Sequence, residues 1–274
     1  MRVLQINAVY EKFSTGKLVK ELHETMLAEE IESFVAAQDL AGYTENSYQI
    51  GNRIDWKYHS LMSRVSGKQG YFSKHATRKL LHDINTIMPD IIVLHNLHGN
   101  YLNIPMLFDF IVEHNIATVA ILHDCWFYTG KCMYYIQHNC ERWLHKCGDC
   151  PALHTGNPSF FFDRSTESLL EKKEFFSKIK KLAVIGVSQW VTDDARKSIL
   201  KNAYTIRCIY NWIDLQVFRP FNCDELRQKL NLNNKFVILG VAMIWNTQKG
   251  LDVFNKLADM LSDNCQIILV GGAT

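Results

Sequence analysis

The sequence predicts an α/β protein whose parallel β-sheet is covered by helices on both faces. Along most of the 274 residues, short apolar runs rich in β-branched residues alternate with segments whose apolar residues fall at helical spacing. Nearly continuous apolar strands are typical of a sheet buried on both faces, and strand–helix alternation favours parallel pairing. Composition agrees, since 47% of the residues are hydrophobic and 21% are charged, as in a globular protein with sizeable cores.

The first half of the chain alternates four predicted strands with three predicted helices. The strands are 3–8, 34–37, "DIIVLHN" and "ATVAILHD", and the helices cover about 18–31, 73–88 and 104–115. A turn at Ser14-Thr15-Gly16 precedes the first helix, and Pro89 ends the second because proline cannot continue a helix. Residues 42–70 are weakly patterned, so we predict no element there.

The second half continues the alternation and enters a second unit. A helix over about 164–180, the strand "LAVIGVS", a helix capped at its start by Ser188 and the strand "YTIRCIYN" complete the first domain. A short helix over 224–230 is then followed by "KFVILGVA", "KGLDVFNKLADML" and "CQIILVGG". We predict a Rossmann-like domain over 1–221 and the β-α-β beginning of a second over 222–274, with the crossing near "NWIDLQVFRPFN".

Charge and hydropathy restrict the partners and the compartment. Thirty Lys and Arg against 28 Asp and Glu give a formal charge of +2, which does not favour nucleic acid but is compatible with a local basic patch near a membrane. The apolar core of "MRVLQINAVY" is too short for a signal peptide, and no run of about 18 apolar residues could span a bilayer. The sequence therefore predicts a cytoplasmic protein.

Several cofactor and catalytic fingerprints are absent. No G-x-G-x-x-G follows the first strand and no G-x-x-x-x-G-K-[ST] loop occurs, which argues against a dinucleotide cofactor and against ATP hydrolysis. Without an Asp-x-Asp pair to hold a catalytic cation, a diphosphate would need cationic side chains and helix N-termini. Lys249 and Gly250 lie between a predicted strand and a predicted helix, where a cationic side chain and free backbone N–H groups meet. The alternative, which this evidence favours equally, is that Lys249 is a solvated surface lysine.

Polar residues follow several predicted strands at the point where each ends. The carboxyl ends of parallel strands meet at one edge of the sheet, which is where ligands bind in such folds. The candidates at this edge are Asn7, His95, Asn96, His98, His123, Asp124, Ser188 and Asn211. A single histidine at a strand end is more often a hydrogen-bonded structural residue, but several at one edge favour a site.

Four of the eight cysteines lie in "KCMYYIQHNCERWLHKCGDCP", residues 131–151. The spacings are Cys132-x7-Cys140, Cys140-x6-Cys147 and Cys147-x2-Cys150, and the last gap lets two thiolates face one ion. Such a cluster in a reducing cytosol favours metal over disulfides. We expect a structural four-thiolate zinc site that orders the cysteine-rich segment, residues 125–151, which looks too weakly apolar to order itself. Metal-free reduced thiols, disulfides and a ligand set containing a histidine are the alternatives.

Eight stretches carry a family resemblance: "STGKLV", "PDIIVLHNLHGNYLN", "ILHDCWFYTGKC", "CERW", "CGDCP", "VSQWV", "IYNWIDLQVFRP" and "KGLDVF". In this order they resemble the family 4 glycosyltransferases of the GT-B fold, most of all the subgroup of bacterial colanic acid, capsule and other surface-polysaccharide pathways. The resemblance implies two Rossmann-like domains and sugar transfer with retention, from a nucleotide-sugar donor to a saccharide or lipid-linked acceptor, without a catalytic metal. It also implies a location in the bacterial cytoplasm, with peripheral contact at the inner face of the membrane.

The resemblance suggests roles for particular residues. The implied donor-binding residues are Ser14, Thr15, Gly16, Lys249 and Gly250; the candidate catalytic residues are His123 and Asp124; the candidate acceptor-binding residues are His95, Asn96, His98, Trp126 and Tyr128. His123 would contact the transferred sugar, and Asp124 would fix the tautomer of His123 or bind an acceptor hydroxyl. Two departures affect the donor side: Trp212 follows Asn211 where the family has glycine, and Gln248 replaces a basic residue.

The predicted second domain is short. Residues 222–274 offer two strong strands and about two helices, whereas an ordinary domain has roughly 100 residues or more. The family's Glu-x7-Glu motif, which follows a strand like "IILVGG", is missing. We expect a truncated form of a longer transferase that turns over little donor and self-associates. A non-catalytic scaffold of the same fold and a nucleotide-sugar epimerase are the alternatives.

Overall fold

The computed structural model describes residues 1–40, 42 and 46–273, and the chain divides into two units, 1–211 and 212–274. The sheet of the first unit consists of β1 (Arg2–Val9), β2 (Glu32–Asp39), β3 (Ser47–Gln49), β4 (Ile91–Leu94), β5 (Ala117–Leu122), β6 (Leu182–Gly186) and β7 (Thr205–Cys208). Every neighbouring pair is parallel, in the order β3-β2-β1-β4-β5-β6-β7. The predicted parallel α/β fold is confirmed.

Helices connect these strands. They are α1 (Phe13–Ala28), α2 (Arg53–Ser66), α3 (Lys74–Ile87), α4 (Ile104–Glu113), α5 (Ser165–Lys178) and α6 (Gln189–Lys197). Ser188 caps α6 as predicted, since its Oγ accepts a hydrogen bond from the backbone N–H of Val191 at 3.3 Å. The start predicted for α1 is wrong: the helix begins at Phe13, and 14–16 form its first turn. Serine and threonine suit the start of a helix as well as a turn, so the sequence signal was ambiguous.

The stretch 42–70, where no element was predicted, contains β3 and α2. The buried residues of α2 are His59, Ser60 and Ser63, all polar, so the helix has no apolar periodicity on its inner face. Its start does carry a sequence signal. Oδ1 of Asn52 accepts from the backbone N–H of Asp55 at 3.1 Å, and Oδ2 of Asp55 accepts from the backbone N–H of Asn52 at 3.0 Å, which is a capping box.

The hydrophobic core of the first unit extends into the cysteine-rich segment. Trp126, Phe127, Tyr128 and Trp143 of this segment are buried in the same cluster as the apolar residues of β1, β4 and β5. The buried Lys131 adds hydrogen bonds from Nζ to the backbone oxygens of residues 152 and 153, at 3.2 and 2.7 Å. The expectation that this segment is too weakly apolar to order itself is therefore wrong, because aromatic burial and a buried cation hold it.

The second unit contains the predicted β-α-β element. It consists of α7 (Asp224–Lys229), β8 (Phe236–Trp245), a 3₁₀ turn (Thr247–Lys249), α8 (Leu251–Ala258) and β9 (Cys265–Ala273), and β8 pairs with β9 in parallel. Several apolar side chains of β8 are exposed, among them Phe236, Leu239 and Val241. Among the described residues of both units, no helix is long and apolar enough to cross a membrane.

Candidate active site

The ends of β4 and β5 bring two of the predicted histidines together. The strands pair in parallel with Leu94 opposite Ala120, so His95 and His123 leave the sheet side by side. Nδ1 of His95 lies 3.0 Å from Nε2 of His123, and the two rings are stacked with their centroids 5.3 Å apart. Parallel pairing thus assembles strand-end residues at one edge, as the sequence predicted.

Burial keeps both rings neutral near pH 7. Burial lowers the pKa of His95 well below its ordinary value, and the neighbouring His123 lowers it further. The pKa of His123 is lowered to about 4, mainly by burial, although the Asp124 carboxylate opposes this change. Both imidazoles therefore act as hydrogen-bonding groups and not as cations.

A buried glutamine determines which nitrogens carry the protons. Nε2 of Gln5 donates to the backbone oxygen of Val19 at 3.2 Å, which leaves Oε1 facing Nε2 of His95, also at 3.2 Å. Because Oε1 can only accept, His95 carries its proton on Nε2 and its Nδ1 accepts from Nε2–H of His123. His123 is left with Nδ1 unprotonated, as a hydrogen-bond acceptor.

The side chain of Asp124 forms a hydrogen bond with His98 and not with His123. Nε2 of His98 lies 2.9 Å from Oδ2 of Asp124, and Oδ1 of Asp124 accepts from the backbone N–H of Trp126 at 2.9 Å. The side chain of Asp124 is 7% exposed and that of His98 is 15% exposed. The role of fixing the His123 tautomer, considered for Asp124, belongs to Gln5 and His95 instead.

Two asparagines shape the loop after β4. Oδ1 of Asn7 accepts from the backbone N–H of Asn96 at 3.1 Å, and Nδ2 of Asn7 donates to the backbone oxygen of Val9 at 2.7 Å. The backbone oxygen of Asn96 accepts from the Tyr101 hydroxyl at 2.9 Å. Asn7 therefore joins the end of β1 to the segment that carries His95 and His98.

Trp126 and Tyr128 are core residues. Nε1 of Trp126 donates to Oε1 of Gln69 at 3.0 Å, and Nζ of Lys172 lies 3.5 Å from the Trp126 ring centroid. The hydroxyl of Tyr128 donates to Oδ2 of the buried Asp194 at 3.1 Å. Both rings are 2% exposed or less. We do not assign them to acceptor binding, because stacking on a sugar needs an open face.

The three residues of the predicted glycine loop lie at the start of α1, directly after β1. Gly16 is buried, and a Cβ atom there would lie 3.2 Å from the backbone nitrogen of Glu11 and from Cγ2 of Val9. Lys12, at the N-cap, makes no side-chain capping bond. The first N–H groups of α1 are therefore oriented as donors for an anion.

Lys249 and Gly250 lie in the second unit, between β8 and α8, as predicted. Lys249 is exposed, and its backbone N–H donates to Oδ1 of Asn246 at 3.1 Å. Gly250 has φ = 76°, in the left-handed region that favours glycine. Of the remaining strand-end candidates, Asn211 is exposed at the boundary between the units.

The four predicted zinc ligands line one small cavity. The lining includes Cys132, Cys140, Cys147, Cys150, Lys131 and Arg142. The cysteines are free, and a hydrogen bond from the Cys132 thiol lowers the pKa of Cys150 to about 7, aided by the Lys131 charge and opposed by burial. In the part of the chain that the structure describes, no three His, Cys, Asp or Glu side chains are placed to hold a metal ion. The four cysteines line the same cavity, but their side chains are not arranged to coordinate one metal ion.

Three residues important to this region were not singled out from the sequence. Gln5 had a visible signal, because it is a polar side chain within the apolar run "VLQINA". Lys172 and Asp194 gave none, since each fits the polar positions of an ordinary amphipathic helix. Their roles depend on contacts with residues 42 to 66 positions earlier in the chain.

No protein-family model and no curated protein matches this sequence. Two of the solved structures that resemble this chain each cover 99% of its length. One is Anabaena Alr3699/HepE in complex with UDP-glucose, with 13% identity, a TM-score of 0.52 and 61% of that chain covered. The other is WaaG, a glycosyltransferase involved in lipopolysaccharide biosynthesis, with 12% identity, a TM-score of 0.53 and 64% of that chain covered.

The present chain thus spans about three fifths of the length of these two proteins. At such low identity the likeness concerns the fold alone. The fold is an α/β fold of the GT-B glycosyltransferase type, with a seven-stranded parallel sheet of Rossmann type in the first unit.

Proposed function

We propose that this chain acts as a retaining family 4 glycosyltransferase, which moves a sugar from a nucleotide-sugar donor to a saccharide or lipid-linked acceptor. The observation that carries the proposal is the arrangement of His123 beside the Asp124–His98 pair at the carboxyl edge of a GT-B-type sheet. A neutral imidazole with an acceptor nitrogen, next to a buried carboxylate, suits the neutral hydroxyls of a sugar.

The chemistry of the reaction explains these residue types. When the bond between a sugar and a nucleoside diphosphate breaks, negative charge grows on the phosphate and positive charge on the sugar ring. Lys249 and the N–H groups near Gly250 would stabilise the phosphate. Nδ1 of His123 would accept a hydrogen bond from a sugar hydroxyl and so orient the ring. A neutral His123 adds no charge that would repel the developing cation.

The biological setting follows from the sequence blocks that resemble the colanic acid and capsule subgroup. We propose a role in bacterial surface-polysaccharide synthesis, in the cytoplasm and with peripheral contact at the inner face of the membrane. The reaction would need no catalytic metal.

We also propose a structural zinc ion on Cys132, Cys140, Cys147 and Cys150. Its support is that all four line one cavity with Lys131 and Arg142, whose charges would balance a four-thiolate site. The sulfurs would have to draw together on the ion. Metal analysis of protein purified without chelator tests this. Stoichiometric zinc that is released by thiol modification supports the site, and metal-free protein in which these four thiols are titratable overturns it.

Transfer of radiolabel from a panel of nucleotide sugars to lipid-linked acceptors tests the main proposal. Labelled product with the donor's anomeric configuration supports a retaining transferase. Isomerised donor formed without acceptor would identify an epimerase, and no turnover of any donor would favour a scaffold.

A further inference from the structure

The helix α2 carries its apolar side chains on the side that faces solvent. The apolar stripe consists of Ile54, Tyr58, Leu61 and Val65, whose spacing of four, three and four residues places them on one face. Their exposure runs from 77% at Ile54 to 36% at Val65. The buried face is polar, as described above. A surface helix of a globular protein has the reverse arrangement, so the stripe is not explained by the core of this unit.

A second exposed apolar element adjoins the end of α2. Phe160, Phe161 and Phe162 follow one another in the chain, and the middle ring is 69% exposed. The backbone N–H of Phe160 donates to the backbone oxygen of Arg64 at 2.7 Å. Gly67, at the C-cap of α2, packs so closely that a Cβ atom there would lie 2.5 Å from the backbone oxygen of Phe162. The three phenylalanines and the α2 stripe together are called the α2 patch.

Basic residues outnumber acidic ones in the two segments that carry the α2 patch, 53–68 and 160–167. The cations are Arg53, Lys57, Arg64, Lys68 and Arg164, and the acids are Asp55, Asp163 and Glu167. Lys68 and Arg164 share Glu167, at 2.8 and 2.9 Å. Within the described residues, no carboxylate forms a salt bridge with the three arginine and lysine side chains of α2. The patch therefore presents apolar side chains among cations that remain available to an anionic partner.

We propose that the α2 patch docks this chain on an anionic lipid bilayer. α2 would lie in the plane of the headgroups, with its stripe and the phenylalanine rings at the acyl boundary and its cations on lipid phosphates. Apolar and aromatic side chains among lysine and arginine are the composition of interfacial helices. A second copy of the chain fits less well, because pairing two patches would bring their excess cations together. The proposal names the surface for the membrane contact included in the proposed function, but it does not require sugar transfer.

Sedimentation with lipid vesicles tests the proposal without donor or acceptor. We expect the protein to bind vesicles of phosphatidylcholine with phosphatidylglycerol, to bind pure phosphatidylcholine vesicles much more weakly, and to be released by salt. Leu61→Ser and Phe161→Ser should each weaken binding by about tenfold, because each removes one large apolar side chain from the acyl boundary. Lys57→Glu should weaken binding to the anionic vesicles alone.

Matched variants distinguish vesicle binding through the α2 patch from non-specific adsorption by any exposed apolar side chain. Leu170 on α5 is 57% exposed, against 56% for Leu61, and Leu239 on β8 is 61% exposed. Leu170→Ser and Leu239→Ser should leave vesicle binding unchanged, and circular dichroism should show all variants folded. Loss of binding in these controls, or no binding to anionic vesicles, would overturn the proposal. Loss of a concentration-dependent dimer in Leu61→Ser, without vesicle binding, would also overturn it in favour of a second copy. Inactivity toward nucleotide sugars would affect the proposed function only.

Discussion

Nζ of Lys172 lies 3.5 Å from the centroid of the Trp126 ring and donates to the backbone oxygen of the same residue at 2.6 Å. It also donates to the backbone oxygen of Thr129 at 2.9 Å. This lysine of α5 therefore holds the start of the cysteine-rich segment by a cation–π contact and by hydrogen bonds. Burial lowers its pKa to about 7.

Replacing Lys172 with Met should destabilise the first unit. The substitution keeps the apolar stem but leaves two buried backbone oxygens without their donor, at a cost of about 2–4 kcal/mol in the free energy of unfolding. Urea denaturation followed by circular dichroism measures the loss. Lys173→Met is the control, because Lys173 is exposed one residue further along the same helix. Equal stability of the two variants would show that the buried contacts contribute nothing.

The buried histidines predict a loss of stability in acid. Burial lowers the pKa of His59 and of His123 to about 4, from an ordinary value near 6.5. Between these values the unfolded chain binds protons that the folded chain excludes, so stability is full above pH 6.5 and falls as the pH drops toward 4. Each group contributes a slope of up to about 1.4 kcal/mol per pH unit.

Denaturation at several pH values checks this dependence. His59→Phe should reduce the slope of the free energy of unfolding against pH by the contribution of one titrating group, up to about 1.4 kcal/mol per pH unit. A steeper or unaltered slope in His59→Phe would contradict the prediction.

The Gln5–His95–His123 chain predicts one tautomer for His123. Nitrogen NMR of histidine-labelled protein should show a protonated Nε2 and an unprotonated Nδ1 on this residue. In Gln5→Met the acceptor for Nε2–H of His95 is lost, so both rings should populate mixed tautomers. Ser33→Ala is a matched control, because it removes the partner of another buried histidine, His23, at 2.7 Å. A proton on Nδ1 of His123 in the parent protein would refute the assignment.

Lys249→Ala should weaken binding of a nucleoside diphosphate by about 1.5–3 kcal/mol, the contribution of a hydrogen bond to a charged group. Isothermal titration measures the affinity. Lys256→Ala removes the same charge from the last turn of α8 and should have little effect. Unchanged affinity in Lys249→Ala would make this lysine an ordinary surface residue.

His123→Ala should reduce turnover far more than donor binding. The side chain is proposed to contact the reacting sugar, and interactions that matter at the reacting centre appear in the rate. Steady-state kinetics of the active transferase, together with titration of the donor, separate the two effects. Equal losses in rate and affinity would mean that His123 only shapes the pocket.

The parallel sheet and the meeting of His95 with His123 could be predicted, because both follow from apolar strands and from the geometry of parallel pairing. α2 was not predicted, although its apolar residues fall at helical spacing. Its burial is inverted, with polar residues inside and the apolar face exposed, and apolar periodicity alone predicts the opposite orientation. The role of Lys172 could not be predicted either. It depends on how α5 crosses a segment more than 40 residues earlier, and nothing in the local sequence distinguishes this lysine from an exposed one.

The position of Lys172 in the chain also has a consequence for synthesis on the ribosome. The five cysteines of the cysteine-rich segment are translated before this lysine, and Asp194, which accepts from Tyr128 and Tyr135, follows later still. Until α5 and α6 have emerged, the nascent chain lacks the groups that hold this segment in place. Its thiols should therefore be most open to oxidants during translation, and most protected once α6 has folded.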